Sequence, residues 1–464
     1  MDTGLPTWPG IAWSPPINNA GSVPRILGIN PAIYDFAAYN VWLRPMGLLT
    51  LLGALRASGA SVALLDCLDP TWGDTDWPSP RSNGSGHFPK SALPQPKGLE
   101  DFPRNYSRYG LDASLIRSAM QRMDPPDAVL VTCLMTYWYP GALEIIRLAK
   151  EIWPNTPVVL GGVYPTLCRD HALAESGADL VVSGPFENAA AWSSLWSLLG
   201  GPTPPLPENA GFTPATDLYR SRHYSAILGS RGCPLNCPYC ASSCLYSHFV
   251  QRGADEVWSG IWADYERGVR NYAFFDDALL IKPKTWLIPL LQRIVVNKLH
   301  IALHAPNAMH LKALSPEICA LLKQAGLSTI RLGLETTDFN NRTDNKASKR
   351  DWLLGADTLL QAGFSLDQIG VYVLFGLPGQ DPDEAIRTVQ HVQAMGFRAH
   401  VAYYSPIPGS ALFDAACRES PFPLREEPLF HNNSLWPCVP GGFSWEEQAK
   451  WKEFLATGKS PLFA

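Results

Sequence analysis

Gly232-Cys233-Pro234-Leu235-Asn236-Cys237-Pro238-Tyr239-Cys240 sets three thiols within eight residues. With ten cysteines in 464 residues, a given three-cysteine spacing arises by chance only about 0.005 times. Prolines and a glycine mark the stretch as a loop, on which Cys233, Cys237 and Cys240 can converge on one metal centre. Three ligands are one short of closing a four-iron cluster, which leaves one iron free to bind another molecule. Open positions separate catalytic from structural zinc in the same way. Two other readings stand beside this one. A zinc knuckle would take Cys244 or His248 as its fourth ligand, although zinc ligands usually come in two separated pairs. A closed four-cysteine cluster would recruit Cys244, which also fits a buried thiol one helical turn beyond Cys240.

Downstream of the loop, strand-like runs alternate with helical stretches. The runs are Tyr224–Leu228, Tyr272–Phe275, Ile301–Leu303, Thr329–Leu332, Gly370–Leu374 and His400–Tyr404. Helices are expected over Ala254–Gly268 and Ser315–Ala325, the latter opened by a capping serine and a proline in its first turn. Six such units predict a partial (β/α)6 barrel over residues 217–412, with its site at the strand carboxyl ends. Residues 413–464 form a C-terminal extension whose Trp436, Trp445 and Trp451 are expected across the barrel mouth or a domain interface.

Upstream, residues 25–200 predict an α/β domain. Strands are expected at Ile26–Ile29, Val62–Leu65, Ala128–Val131, Val158–Leu160 and Leu180–Val182, and helices at Met46–Ala57, Gly141–Ile152 and up to about Leu199. Unbroken apolar strands between helices indicate a doubly wound parallel sheet, which binds ligands beyond the strand carboxyl ends. Thr71–Asn105, with Trp72, Trp77 and many Pro, Gly and Ser, reads as an irregular insertion loop with a binding or lid role. A lead-in with Trp8 and Trp13 precedes the domain, and the proline-rich Gly201–Thr216 reads as a stiff linker.

Composition narrows the function classes. Charged residues are only 17%, which argues against a disordered or coiled-coil chain. The net charge of −5 and the lack of a long basic run speak against nucleic acid as a partner. No stretch has the length and apolarity of a membrane span, and Met1–Pro16 lacks the basic start and apolar core of a signal peptide. Ten cysteines without an export signal favour metal or redox chemistry over disulfides, so a cytoplasmic enzyme is expected.

The C-x3-C-x2-C loop resembles that of the radical S-adenosylmethionine superfamily, which holds a 4Fe-4S cluster. Its free iron chelates the amino and carboxylate groups of S-adenosylmethionine. The resemblance places Tyr239 where the backbone meets adenine. Phe274-Phe275-Asp276-Asp277 is similar to the second-strand segment near the methionine end of the cofactor. Arg331-Leu-Gly-Leu-Glu335-Thr is similar to the fourth-strand segment, which often reaches ribose. Phe375-Gly376-Leu-Pro-Gly379 is similar to the fifth-strand turn and Tyr404–Gly409 to the sixth-strand segment. Asp276 and Asp277 also suit a helix cap, and the Gly-Leu-Pro-Gly turn suits a simple change of chain direction.

Residues 25–199 resemble the cobalamin-binding domain that precedes the barrel in one large branch of that superfamily. The likeness rests on Pro45-Met-Gly-Leu-Leu, Pro126-Asp-Ala-Val, Leu160–Thr166 and Ala178–Gly184. Ligand contacts are expected from Asn30 after the first strand, Thr132 after the third, and Gly161, Gly162 and Tyr164 after the fourth. No G-x-G-x-x-G and no G-x4-G-K-[ST] supports a nucleotide site. D-x-H-x-x-G, the best-known cobalamin fingerprint, is also absent, so no histidine is placed beneath cobalt. Cys168 and His171 are read as a thiol and a helix-end histidine, since no second ligand pair is near.

The resemblance implies a radical S-adenosylmethionine enzyme with a 4Fe-4S cluster, S-adenosylmethionine and cobalamin, transferring methyl to an unreactive carbon. A small molecule or peptide is the implied substrate, and flavodoxin or ferredoxin the implied reductant. Radical rearrangement, cyclisation or oxidation without methyl transfer is the alternative reading. A non-catalytic iron–sulfur electron carrier is the third; three cysteines and the six-unit barrel argue against it, because a carrier needs no substrate chamber. The sixteen tryptophans suit either an apolar substrate pocket or core packing.

Overall fold

The computed structural model describes residues 11–17, 23–71, 77–219 and 223–458; Trp8 and Trp72 lie outside them. The chain divides into two units, Met1–Arg222 and His223–Ala464.

In the first unit, β1 (Arg25–Asn30), β2 (Ser61–Asp66), β3 (Ala128–Cys133), β4 (Val158–Gly162) and β5 (Leu180–Val181) form one sheet. Every neighbouring pair is parallel, and the order is β5-β4-β3-β1-β2. The first three strands are buried along nearly their whole length, which is why they read as unbroken apolar runs. This order reverses direction between β1 and β3, opening a crevice beyond their carboxyl ends.

The insertion is not the irregular loop expected. Ser107–Tyr109 pairs antiparallel with both Ile33–Asp35 and Lys90–Ala92, and Gly86–His87 pairs with Tyr39–Asn40. Strands of two or three residues between prolines and glycines are too short to display alternation in sequence. The proline-rich segment also packs back on its own unit. Ala215 donates its N–H to Leu49 O at 2.9 Å, and a Cβ on Gly53 would lie 1.9 Å from Thr213 O. Beyond it, the Tyr219 hydroxyl donates to Asp66 at 2.6 Å, and the Asn30 amide donates to the same carboxylate at 2.7 Å.

The second unit holds six parallel strands in sequential order: β6 (Ser225–Ile227), β7 (Asn271–Phe274), β8 (Ala302–Met309), β9 (Leu327–Glu335), β10 (Ile369–Phe375) and β11 (Arg398–Tyr403). β6 and β11 do not pair, so the barrel is open. Ile330, Leu332 and Leu334 of β9 join the apolar core, which leaves Arg331, Gly333 and Glu335 on the opposite, inner face. That face is polar. His304 hydrogen-bonds Asn271 and Thr329, and the Tyr372 hydroxyl donates to Pro306 O. The capped helix start is found, with Ser315 Oγ accepting from the Ile318 N–H at 3.3 Å.

The C-terminal extension completes this core beside β10 and β11. Trp436 stacks on Tyr403 with centroids 5.3 Å apart, and Trp451 meets Phe375 at 4.8 Å. Trp445 is exposed instead. Trp286, Trp352 and Trp451 are fully buried, so these large rings serve packing. Among the described residues, no helix is long and apolar enough to cross a membrane.

Candidate functional site

The cysteine loop leaves the carboxyl end of β6. Ser230–Arg231 pairs antiparallel with Val250–Gln251, and this clip frames the loop and the short helix Ser242–Leu245. At the far side, the Leu412 N–H donates to Pro238 O at 3.0 Å. Cys237 is buried, and Cys233 and Cys240 are half-buried. Burial pushes all three thiols above their ordinary range, Cys237 to about 11, while the Lys346 ammonium pulls each of them down. The backbone N–H groups of Leu235 and Ser242 point at Cys233 Sγ and Cys240 Sγ, each at 3.5 Å. Among the described residues, no three His, Cys, Asp or Glu side chains are close enough to chelate one ion.

Tyr239 and Glu335, predicted from separate segments, meet here through residues that sequence reading missed. The Tyr239 hydroxyl donates to Asp344 Oδ2 at 2.7 Å, and Arg342 donates to Asp344 Oδ1 at 2.7 Å. Lys346 Nζ donates to Glu335 Oε1 at 2.6 Å and stands 5.7 Å from the Tyr239 ring centroid. Burial opposes the charge on Lys346, but the Glu335 carboxylate outweighs it and keeps the ammonium protonated well above its usual range. Glu335 is buried at φ +67°, a conformation that non-glycine residues adopt only where their surroundings hold them. Arg342, Asp344 and Lys346 follow β9 in a loop without periodicity, and their one signal is a run of polar residues directly after Glu335.

Asp276 and Gly376, two of the expected cofactor contacts, also have partners within the protein. Asp276 is 1% exposed and lies beneath the loop, accepting from Ser230 Oγ at 2.6 Å. Burial raises its carboxyl to about 7. Its neighbour Asp277, accepting from Ser242 Oγ at 2.8 Å, is the carboxylate whose charge reaches Cys233 and Cys240. Gly376, at φ +84°, would place a Cβ 2.9 Å from Val439 Cγ2, so chain direction and packing account for this glycine. Cys244 Sγ would lie 3.3 Å from a Cβ on Gly409.

The donor set fits a four-iron cluster held by three thiolates. One loop supplies the sulfurs, two N–H groups point at them, and an ammonium favours their charged form. Arg342 Nη1 and His310 Nδ1 are buried without a hydrogen-bond partner, as suits donors and acceptors awaiting a polar ligand.

In the first unit, a pocket opens at the β1/β3 reversal, lined by Asn30, Ala32, Leu68, Thr132 and Trp138 among others. It is a small pocket of about 10 Å³ with mostly apolar walls. Among the described residues, no histidine lines it. Gly162, at φ +105°, would place a Cβ 2.6 Å from Cys133 O, so the fold requires glycine. A Cβ on Gly161 would meet nothing within 4 Å, and this open space suits a close ligand approach. Tyr164 is not a surface contact. Its side chain is fully buried, its ring stacks on Tyr139 at 5.2 Å, and its hydroxyl hydrogen-bonds His171.

Comparison with known proteins matches both units. The B12 binding domain model matches residues 110–192, and the Radical SAM superfamily model matches residues 227–392. An uncharacterized methyltransferase of Pyrococcus horikoshii is 25% identical over 346 residues, covering 66% of this chain and 72% of that protein. The radical S-adenosylmethionine methyltransferase TsrM from Kitasatospora setae, solved with its tryptophan substrate and a cofactor analogue, is 16% identical. That structure superposes with a TM-score of 0.62 over 85% of this chain and 76% of its own. The same enzyme with cobalamin and a 4Fe-4S cluster gives 0.60 at 16% identity, over 87% and 76%. The chain thus carries a B12-binding domain followed by a radical S-adenosylmethionine domain, the arrangement of the cobalamin-binding branch of that superfamily.

Proposed function

We propose that this protein is a cobalamin-dependent radical S-adenosylmethionine methyltransferase acting on an unreactive carbon of a small molecule or peptide. The observation that carries the reading is the three-cysteine loop at the carboxyl end of the first strand of an open six-stranded barrel, in a chain that also has a B12-binding unit. When bound, the cluster supplies the electron that splits S-adenosylmethionine into a carbon radical and methionine, and cobalamin carries the methyl group.

Cys233, Cys237 and Cys240 hold the cluster. Tyr239, Glu335 and Arg342 line the place beside it for S-adenosylmethionine, with Asp344 fixing the tyrosine hydroxyl. Thr132 and Gly161 face cobalamin at the sheet crevice, and Asn30 borders it while bonded to Asp66. The inner barrel face, with His304, Arg331 and Tyr372, favours a substrate with polar groups over a purely apolar one. The tryptophan in the TsrM structure supports the small-molecule class. A low-potential flavodoxin or ferredoxin supplies the electron, and the reaction takes place in the cytoplasm.

Anaerobic reconstitution with iron, sulfide and hydroxocobalamin tests the reading. About four irons and one cobalamin per chain are expected, with reductive formation of 5′-deoxyadenosine. A chain that binds the cluster but retains no cobalamin would move the assignment to radical chemistry without methyl transfer.

A further inference from the structure

Around the cysteine loop one cation stands out. Lys346 Nζ is 2.6 Å from Glu335 Oε1 and 5.7 Å from the ring centroid of Tyr239, the residue between Cys237 and Cys240. Its side chain is 12% exposed and that of Glu335 6%, so solvent screens the pair weakly. The pair is held from several sides. The Lys346 N–H donates to Asp344 Oδ1 at 3.0 Å, and Asp344 also binds the Tyr239 hydroxyl. A Cβ on Gly333 would lie 3.0 Å from Glu335 Oε1 and 3.4 Å from Lys346 Nζ, so the strand itself crowds the pair.

The ammonium stands beside the cysteine loop, against the ring of Tyr239, which lies between two of the three cysteines and is fixed through its hydroxyl by Asp344. A carboxylate approaches the same loop: Asp277, just beyond β7, accepts from Ser242 Oγ at 2.8 Å, two residues past Cys240.

We propose that the Glu335–Lys346 ion pair, set against Tyr239 of the cysteine loop, is a positioning element that sets the reduction potential of the cluster that Cys233, Cys237 and Cys240 hold. One-electron reduction adds a negative charge to the cluster. A fixed cation in a poorly screened site stabilises the reduced form and raises the potential, and a fixed carboxylate lowers it. The inference rests on the family reading above.

The test is a potentiometric titration of the reconstituted full-length protein, following the paramagnetic reduced cluster without S-adenosylmethionine. Lys346→Met removes the cation and leaves the carboxylate, so the reduced fraction at a fixed potential falls about tenfold, equal to about 59 mV for a one-electron couple. Glu335→Gln leaves the cation uncompensated and shifts the potential in the opposite direction. Lys346→Arg keeps the charge and stays near wild type. Opposite shifts from the two partners distinguish a field effect from loss of structure, which would move both variants the same way. Shifts of one sign, or none in either variant, overturn the proposal. If Lys346→Met fails to hold iron, the upward shift of Glu335→Gln decides alone, and its absence is equally fatal. A wild-type chain that assembles no four-iron cluster removes the family reading itself, which the iron count reveals before any titration.

Discussion

The hydroxyl of Tyr164 and Nδ1 of His171 lie 2.7 Å apart, and the Tyr139 ring packs on both. His171 is therefore engaged by two tyrosines of its own unit, and among the described residues no histidine lines the pocket at β1 and β3. His171→Ala is expected to retain cobalamin with affinity within about twofold. The loss in stability should be about 1 kcal/mol, the size of one hydrogen bond. Paramagnetic resonance of the cobalt(II) form should show no splitting from a protein nitrogen. Loss of cobalamin from this variant would place the histidine beneath the metal.

Replacing Cys233, Cys237 and Cys240 together by alanine should reduce iron from about four per chain to below about one. Cys244→Ala should keep the cluster and the cleavage to 5′-deoxyadenosine. Iron counts on the two variants separate an open from a closed centre, and a cluster lost with Cys244 alone would establish the closed one.

Gly161 and Gly162 adjoin in sequence yet answer to different constraints. Gly162→Ala forces a side chain onto Cys133 at a positive φ and should destabilise the first unit by about 2–4 kcal/mol. Gly161→Ala meets open space, so its melting temperature should hold while cobalamin affinity falls. Thermal melts and equilibrium binding on both variants check this, and an unchanged affinity for Gly161→Ala would remove the glycine from the ligand site.

Asp276 gives a pH signature. Its folded value of about 7 exceeds the unfolded value of about 4, so the fold prefers the protonated acid. The stabilisation is complete below about pH 4 and fades as pH rises through about 7. Asp276→Asn is neutral throughout, so between pH 5 and 8 it should lose roughly 2 kcal/mol less stability than wild type. Urea unfolding at both pH values measures the difference, and an identical slope would show that the acid is ionised in the fold.

Trp451 lies outside the segment matched by the barrel family model, yet it is 1% exposed and packs on Phe375. Trp451→Ala should destabilise the second unit by about 3–5 kcal/mol. A change below about 1 kcal/mol would make the extension an appendage.

Sequence legibility followed the length of the pattern. β9 and β10 are long, with one face in the core, and the strand-like runs Thr329–Leu332 and Gly370–Leu374 read from the sequence fall within them. The cysteine loop was readable because three rare residues recur at short spacing. The strands Gly86–His87 and Lys90–Ala92 were not, because two or three residues carry no period. Nor were the separate partners of Asp276 and Asp277, since adjacent residues at a strand end differ only in which way the chain turns. The Arg342–Asp344–Lys346 cluster depends on contacts made in space by a loop, and nothing local marks them.

The hydrogen bond from Leu412 to Pro238 ties the cysteine loop to a segment made much later in synthesis. During translation the three thiols emerge long before the turn at Leu412 that ties their loop down. A nascent chain stopped before residue 412 leaves that loop without its last tether, open to oxidation and to adventitious metals. Delivery of iron and sulfide is therefore best timed to the release of the finished chain, and anaerobic expression with slow induction should raise the fraction of protein that carries the correct centre.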